Sequence, residues 1–329
     1  MNTNQTIPLR RLGHSNLRIS ALGLGCWQFS KGEGFAGKFW PIMNQDDIDE
    51  IIKMSLEGGI NWFDTAEVYG KGESEKALSQ SLNNLNIQEK NALIATKWWP
   101  FMRGSSSITT TIEKRLEALS GRSIDLYQIH QPFSLSSVRA EMKAMAKLLR
   151  NNKIKNVGVS NFNEDKMREA HDVLQDEGYF LASNQVKYSL LDRRIENNGV
   201  LAAAKELGVT IIAYSPLEQG ILSGKFHHNP ELIENLSGPR KYSSLFKASG
   251  LKRTKPLIDL LEEMAIKYEV SVTQVALNWL IHYHGDTVVA IPGASKPNHA
   301  KENIGTLQFT LSEEDMAEID KVSRAVGRF

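Results

Sequence analysis

A regular alternation of short apolar runs with longer segments of helical periodicity is the feature that most constrains the fold of this chain. Short apolar runs bounded by turn residues are typical of buried strands, and apolar residues recurring every three or four positions are typical of helices. Eight strands that alternate with helices close into a (β/α)8 barrel. We predict these strands at residues 21–25, 60–63, 93–96, 126–129, 156–159, 183–186, 210–214 and 287–291.

The predicted helices lie between these strands. The eighth strand begins about 77 residues after the seventh, so this interval must hold a long loop at 217–256 and two extra helices. One more helix is predicted after the helix that follows the eighth strand, near the end of the chain. The helical patterns cover residues 47–57, 74–82, 108–119, 138–149, 164–175, 199–207, 257–268, 272–283, 297–304 and 312–322.

Composition narrows the class of protein. A chain of 329 residues has the length of two average domains, but barrels of this size form one domain, and we expect residues 1–329 to form one. With 39 basic and 38 acidic residues, the net charge of +1 gives no field that attracts nucleic acid or a membrane. The single cysteine, Cys26, excludes an internal disulfide framework. No apolar run resembles a signal peptide or a membrane span, so we expect a cytoplasmic protein.

Three ionisable residues follow predicted strands at equal intervals. Asp64, Lys97 and His130 are each about 33 positions apart, which is the length of one strand–helix unit. Tyr69 follows Asp64 by five positions in a loop bounded by glycine. Because the carboxyl ends of barrel strands meet at one rim, these four side chains are expected to converge there.

These four residue types make a device for delivering a proton to a carbonyl oxygen. A phenol has a pKa of about 10, and the ammonium of Lys97 would lower the pKa of Tyr69. Asp64 would hold the ammonium through a charge-assisted hydrogen bond, and His130 would donate to the substrate oxygen. The alternative is a hydrogen-bond network of Tyr69, Lys97 and Asp64 that only ties the strands together.

Other patterns in the chain are weaker. The Gly-x-Gly-x-x-Gly string at 32–37 is neither preceded by a strand nor followed by a clear helix, so we interpret it as a loop and not as a dinucleotide fingerprint. His227-His228 and the His282-x-His284 pair are close in sequence, but no set of Cys, Asp or Glu accompanies them. We therefore expect no metal site.

Several strings along the chain resemble the aldo-keto reductase family. They run in order over nearly the whole chain, which makes the resemblance specific, and the length is similar to the branch that includes potassium-channel β subunits and bacterial members. The strings are Phe-Asp-Thr-Ala-Glu-Val-Tyr-Gly (63–70), Ala-Thr-Lys (95–97), Gln-Ile-His (128–130), Val-Gly-Val-Ser-Asn-Phe (157–162), Ala-Tyr-Ser-Pro-Leu (213–217) and Ile-Pro-Gly-Ala-Ser (291–295).

The resemblance implies a fold, a reaction and a cofactor. The fold is a (β/α)8 barrel whose amino end is plugged by a hairpin, here within residues 8–20. The reaction is NADPH-dependent reduction of aldehydes or ketones, with Asp64, Tyr69, Lys97 and His130 as the catalytic set. The residues expected to bind the cofactor are Ser160, Asn161, Gln185 and Tyr214 at the nicotinamide, Ser215, Leu217, Lys225, Arg240 and Gly293 near the pyrophosphate, and Ser295, Lys296, His299, Glu302 and Asn303 around the adenosine.

One position departs from the family pattern. His299 stands where members usually carry Arg or Gln, and an uncharged imidazole would hold the ribose 2′-phosphate less firmly than Arg. The resemblance therefore implies NADPH/NADP as the cofactor, with NAD as an alternative. The expected partner is a small carbonyl substrate.

Aromatic residues cluster in the loops after the first and third strands. They predict an apolar, aromatic-walled substrate pocket. The only basic residues in these loops that could clamp an anionic substrate are Lys31, Lys38 and Arg103. The predicted pocket residues are Trp27, Phe39, Trp40, Trp98, Trp99 and Phe101.

Two other functions remain open from the sequence. One is a regulatory or redox-sensing subunit that binds NADPH but turns over slowly, which the same family includes. The other is a barrel lyase or isomerase that uses Lys97 as a Schiff base, although Tyr69 and Asp64 beside the lysine argue against it.

Overall fold

A computed structural model describes residues 7–37, 39–236, 240 and 242–327. Lys38, one of the candidate anion clamps, lies outside the described residues. In the described part of the chain, a two-stranded antiparallel hairpin precedes a sheet of eight parallel strands. The hairpin is β1 Leu9–Arg11 and β2 Arg18–Ser20, and the sheet is β3 Leu24–Gly25, β4 Trp62–Asp64, β5 Leu93–Trp98, β6 Leu126–Ile129, β7 Val157–Ser160, β8 Leu181–Lys187, β9 Thr210–Tyr214 and β10 Val288–Ala290.

The eight parallel strands form a barrel. Each strand pairs with the next strand along the chain, from β3 to β10. Parallel bridges from Leu22 to Ala290 and from Gly25 to Gly293 join the first strand region to the last one. The predicted (β/α)8 fold is confirmed, with strand ends that match the predicted ones or differ from them by at most three residues.

Helices alternate with the strands as predicted, except that the helix predicted at 108–119 is divided at Thr111 into two helices and that a short helix covers residues 34–37 of the string interpreted as a loop. Several begin at a residue whose side chain accepts a hydrogen bond from the first turn, as Asn44, Ser137, Asn163, Ser271 and Ser312 do. None of the helices in the described residues is long and apolar enough to cross a membrane. The helices are α1 Gly34–Gly37, α2 Gln45–Glu57, α3 Glu73–Asn84, α4 Ser106–Thr110, α5 Ile112–Ala118, α6 Val138–Arg150, α7 Glu164–Asp176, α8 Val200–Leu207, α9 Lys225–His228, α10 Ala248–Lys267, α11 Val272–His282, α12 Pro297–Thr306 and α13 Glu313–Val326.

The prediction of one long loop at 217–256 was wrong. Short helical turns and α9 occupy its first part, and α10 begins at Ala248, so that Pro256 lies inside a helix. Proline inside a helix carries a cost because it lacks an N–H and its ring crowds the preceding turn. Leu257, Ile258 and Leu261 on α10 are fully or almost fully buried, and this packing outweighs the cost of the proline.

The hairpin closes the amino end of the barrel, as the resemblance implied. Leu12 and Ile19 pack against the apolar side chains that point into the barrel, among them Trp62 and Leu126. The Arg10 guanidinium donates to the backbone carbonyl of Val288 at 2.6 Å. The opposite end of the barrel, where the strands end, is left open for a site.

Alternation along β5 decides which side chains reach that open end. Successive side chains of a strand point to opposite faces, so that one set faces the barrel interior and the other faces the helices. Ala95 packs in the interior and Lys97 contacts Asp64 there, whereas Ile94 and Trp98 belong to the core between strands and helices.

Candidate active site

The four predicted catalytic residues come together at the carboxyl ends of β4, β5 and β6. The Lys97 ammonium donates to the Asp64 carboxylate and to the backbone carbonyl of Thr65, the latter at 2.9 Å. The same ammonium lies 5.0 Å from the centroid of the Tyr69 ring. The rings of Tyr69 and His130 meet edge to face with centroids 5.6 Å apart. The sequence prediction of convergence is therefore supported by the geometry.

Gly70 explains how the loop brings Tyr69 over the lysine. This residue has a φ of 64°, in the left-handed region that glycine adopts without strain. A Cβ atom at this position would lie 2.3 Å from the backbone oxygen of Ser30. The chain can therefore turn tightly at this point only with glycine, immediately after the phenol.

Asp64 and Lys97 form a buried ion pair with further hydrogen bonds. Their side chains are almost completely buried, and the second carboxylate oxygen of Asp64 accepts from Gln185 at 2.8 Å and from Gln128 at 3.1 Å. Burial works to lower the pKa of Lys97, but Asp64 and Tyr69 outweigh it and the pKa is raised. Lys97 is therefore charged at neutral pH.

Tyr69 and His130 respond to the same surroundings in opposite ways. Burial raises the pKa of the Tyr69 phenol, and Lys97 opposes this effect without overcoming it. The sequence predicted that Lys97 lowers the pKa of Tyr69. This effect is present, but burial has a larger effect, and the pKa of Tyr69 is raised. Burial, followed by the charge of Lys97, lowers the pKa of His130 well below its ordinary value. At neutral pH the phenol is protonated and the imidazole is neutral.

A cavity of about 1590 Å³ extends from these residues across the open end of the barrel. Asp64, Tyr69 and His130 line it, whereas Lys97 lies behind them and reaches it only through its contacts. The cavity is also lined by all of the residues expected at the cofactor, namely Ser160, Asn161, Gln185, Tyr214, Ser215, Leu217, Lys225, Arg240, Gly293, Ser295, Lys296, His299, Glu302 and Asn303.

Positive charge gathers at one end of the cavity, where Lys225, Arg240 and Lys296 lie close enough to affect one another. Burial, together with the nearby charges of Arg240 and Lys296, lowers the pKa of Lys225. The Arg240 guanidinium lies 4.3 Å from the centroid of the Trp40 ring. Mutual repulsion among half-buried cations is relieved when an anion binds between them. This end of the cavity is therefore suited to phosphate groups.

The loop after β9, which also lines the cavity, is held in a strained conformation. Ser215, Glu218 and Gln219 have φ values of 52°, 46° and 57°. The buried carboxylate of Glu218 accepts from Lys187 and from Ser189, both at 2.9 Å. Strained residues persist where surrounding contacts hold them, and they often mark binding sites. Sequence reasoning missed Lys187, although its place at the end of β8 was a usable signal.

The residues expected at the nicotinamide are already joined to one another. The Tyr214 hydroxyl donates to Asn161 Oδ1 at 3.0 Å, and the Asn161 amide donates to Ser160 Oγ at 3.1 Å. Asn161 has a φ of 60°. The Gln185 amide donates to Asp64, and the Gln185 backbone carbonyl accepts from the Asn161 N–H at 2.9 Å, so that Gln185 links this group to the Asp64–Lys97 pair.

The predicted substrate pocket needs two corrections. Trp27, Phe39, Trp40 and Trp99 line the cavity, but Trp98 and Phe101 do not. Trp98 points away from the barrel interior because it follows the inward-facing Lys97, and its indole donates to Ser107 Oγ at 3.1 Å. Phe101 lies farther along the loop and is 60% exposed.

Polar residues that sequence reasoning did not assign also line the cavity. Glu67 accepts hydrogen bonds from Arg103 and from the backbone of Trp99, and it faces Arg115 at 3.4 Å. Arg103, a candidate clamp for an anion, also lines the cavity, and its guanidinium is held by Glu67. Gln28 packs where a side chain at Gly293 would lie, with 2.2 Å to the added Cβ atom. Glu67 stands two residues before Tyr69, which was the available signal.

Comparisons with known proteins agree with this geometry. The sequence model of the aldo/keto reductase family matches residues 21–324. The probable aldo-keto reductase 1 of Glycine max is 31% identical over 319 residues, which cover 94% of this chain and 87% of that protein. A thermostable aldo-keto reductase solved with the inhibitor epalrestat has 29% identity and a TM-score of 0.77, with 95% of this chain and 99% of that chain covered. The glycerol dehydrogenase of Gluconobacter oxydans has 26% identity and a TM-score of 0.82, with 98% and 95% covered. The chain belongs to the aldo/keto reductase family.

Proposed function

We propose that this protein is an NADPH-dependent reductase of aldehydes or ketones. The observation that carries the proposal is the buried Asp64–Lys97 pair beneath Tyr69, beside a cavity that is also lined by Lys225, Arg240 and Lys296. Bound NADPH supplies a hydride to the carbonyl carbon of the substrate. The chain itself must then supply a proton to the carbonyl oxygen and exclude water.

Each of the four residues has a distinct role in moving that proton. Tyr69 donates it, because its phenol is protonated at neutral pH and lines the cavity. The charge of Lys97 stabilises the phenolate that remains, and Asp64 keeps the ammonium in place. Neutral His130 donates a hydrogen bond to the same oxygen and orients the carbonyl.

The residues present fit a phosphate-bearing dinucleotide. The basic end of the cavity suits the phosphates. The buried side-chain nitrogen of Asn303 lines the cavity and has no hydrogen-bond partner among the described residues, as expected of a group that meets a ligand's polar edge. Two of the relatives solved in complex with NADPH or NADP share 24% identity with this chain, which supports likeness of fold.

The Schiff-base alternative is disfavoured by the state of Lys97. A lysine that attacks a carbonyl must be neutral, and enzymes prepare it by lowering its pKa. The pKa of Lys97 is raised, and its ammonium is held by Asp64 and Thr65. The proposed function as a whole can be tested directly. The measurement is the oxidation of NADPH in the presence of a panel of aldehydes and ketones. Steady consumption supports it, and tight NADPH binding without consumption would favour the regulatory alternative.

The pH dependence of the reaction follows from the two perturbed groups. We expect kcat/KM for carbonyl reduction to stay level from about pH 6.5 to pH 9, because the pKa of Tyr69 is raised from about 10 and that of His130 is lowered from about 6.5. Activity should be lost as the pH rises through the pKa of the phenol. Initial rates at saturating NADPH measure this, and an inflection between pH 7 and 8 would contradict the assigned acid.

His299 should limit the preference for NADPH. Burial is the main cause that lowers the pKa of His299, and its Nδ1 lies 3.3 Å from the backbone nitrogen of Ser295. We expect His299→Arg to lower the Kd for NADPH by about five- to tenfold by adding a charge-assisted hydrogen bond to the 2′-phosphate. Fluorescence titration measures this, and NADH serves as the control. An equal gain for both cofactors would show that the introduced guanidinium does not act on the 2′-phosphate.

A further inference from the structure

Exposed apolar side chains gather in the two loops that flank the catalytic imidazole. Phe101 and Met102 follow β5, and Phe133 and Leu135 follow β6, with exposed fractions of 60, 74, 47 and 75%. Single exposed apolar residues are ordinary on a protein surface, but a contiguous group is a mark of binding. These residues are contiguous because the backbone nitrogen of Leu135 donates to the carbonyl of Arg103 at 2.9 Å, which joins the loops.

The rings of these loops form a continuous series that starts inside the cavity. His130 meets Trp99 with centroids 5.2 Å apart, Trp99 meets Phe133 at 5.6 Å, and Phe133 meets Phe101 at 6.5 Å. All three pairs are edge to face, with interplanar angles of 79°, 88° and 85°. We call Trp99, Phe133 and Phe101 the aromatic track. It leads from the catalytic His130 to the protein surface.

The two loops that carry the track contribute a single charged side chain, and Lys166 of α7 donates to the backbone carbonyl of Pro132 beside them at 2.8 Å. Arg103 is the only charged residue of the segments 99–105 and 131–136. Its guanidinium donates to Glu67, to the carbonyl of Trp99 at 2.9 Å and to Thr111 at 2.8 Å. These contacts neutralise Arg103 and hold it in place, and the Lys166 ammonium is engaged by the Pro132 carbonyl, so that the rings themselves offer apolar contact. The same contacts fix the backbone of Trp99, so that the track is formed before a ligand arrives.

We propose that the aromatic track binds the apolar substituent of an elongated, uncharged aldehyde or ketone. The inference rests on the proposed function and specifies its substrate class. A carbonyl placed at Tyr69 and His130 leaves its substituent beside Trp99, and a longer substituent continues onto Phe133 and Phe101. Burial of each added methylene between chain and rings raises kcat/KM by about two- to fourfold. Long-chain aliphatic and extended aryl carbonyls are thus the preferred class over small or acidic ones.

Kinetics with straight-chain aldehydes from propanal to octanal test this inference. In the unmodified protein, kcat/KM should rise with chain length. In Phe101→Ala/Phe133→Ala the value for octanal should fall by about tenfold through KM, whereas the value for propanal should change by less than about twofold. Phe180→Ala is the matched control, since Phe180 is 52% exposed and packs on His14, next to the hairpin at the other end of the barrel. Thermal melting of each variant checks that it is folded. If the double variant is unfolded, the same kinetic comparison is made with the single variant Phe101→Ser.

Two outcomes would overturn the proposal. One is an unchanged dependence on chain length in the variants, which would leave the patch as a surface for another protein. The other is an equal loss for propanal and octanal. Calorimetric binding of 1-octanol to the protein with NADP separates this proposal from the function on which it rests. If no aldehyde is reduced, the proposed function fails. The aromatic track is still supported if the unmodified protein binds 1-octanol and the double variant does not. It is refuted if both proteins bind 1-octanol equally.

Discussion

Tyr69→Phe should lower kcat/KM for NADPH-dependent aldehyde reduction by about 10²–10⁴, the range for loss of a general acid. The phenylalanine ring keeps the packing of the tyrosine, which stacks on Trp27 with centroids 5.9 Å apart and meets His130 edge to face. Only the proton and its oxygen are lost. The Kd for NADPH should change by less than about twofold, and single-turnover kinetics should place the loss in the chemical step.

Tyr127→Phe is the matched control for this variant. Tyr127 lies on β6, is fully buried, and has a hydroxyl without a hydrogen-bond partner among the described residues. The same chemical change at this position should leave kcat/KM unaltered. Near-normal turnover in Tyr69→Phe would remove the phenol from the mechanism, and an equal loss in both variants would point to a structural effect.

Lys97→Met should destabilise the protein by about 3–5 kcal/mol, because it leaves the buried Asp64 carboxylate without its counter-charge. Gln128 and Gln185 still donate to Asp64, but they carry no charge. The double variant Asp64→Asn/Lys97→Met should lose less than the two single variants together, by at least about 2 kcal/mol. Urea denaturation followed by circular dichroism measures these values.

The same lysine should act on the reaction only through Tyr69. In Lys97→Met/Tyr69→Phe, the loss of kcat should scarcely exceed that of the worse single variant, since groups that work as a unit give non-additive losses. Fully multiplicative losses in kcat would mean that Lys97 and Tyr69 serve separate steps. Additive free energies of unfolding for Asp64→Asn and Lys97→Met would mean that the two charges are solvated independently.

The barrel and its catalytic rim could be predicted because their causes are local in sequence. Each of Asp64, Lys97 and His130 stands at the end of a buried apolar run, and parallel strands of one sheet end at the same edge. The interval of about 33 residues leaves room for one helical segment between successive strands. The spacing of the strands along the chain and the place of each residue at a strand end were therefore enough to predict that these side chains converge.

The features that the sequence analysis missed depend on the face of a strand to which a side chain points, or on contacts between residues distant in sequence. Trp98 and Trp99 are adjacent, and only the inward direction of Lys97 determines that Trp98 faces the helices. The start of α10 depends on how its apolar face packs, and this packing outweighs the cost of having Pro256 inside the helix. The clamp of Lys187 and Ser189 on Glu218 joins two loops across the barrel rim. The net pKa of Tyr69 depends on the degree of burial, which composition does not reveal.

The central claim is that this chain catalyses hydride transfer from NADPH to a carbonyl while Tyr69 supplies the proton. Mass spectrometry of the alcohol formed from benzaldehyde and NADPH that carries deuterium at both C4 positions tests it most directly. We expect one deuterium at the carbinol carbon for each NADPH oxidised, with alcohol formation at least about 10²-fold slower in Tyr69→Phe at the same cofactor occupancy. Bound NADPH without formation of labelled alcohol, with the protein in excess over the cofactor, would contradict the proposed function.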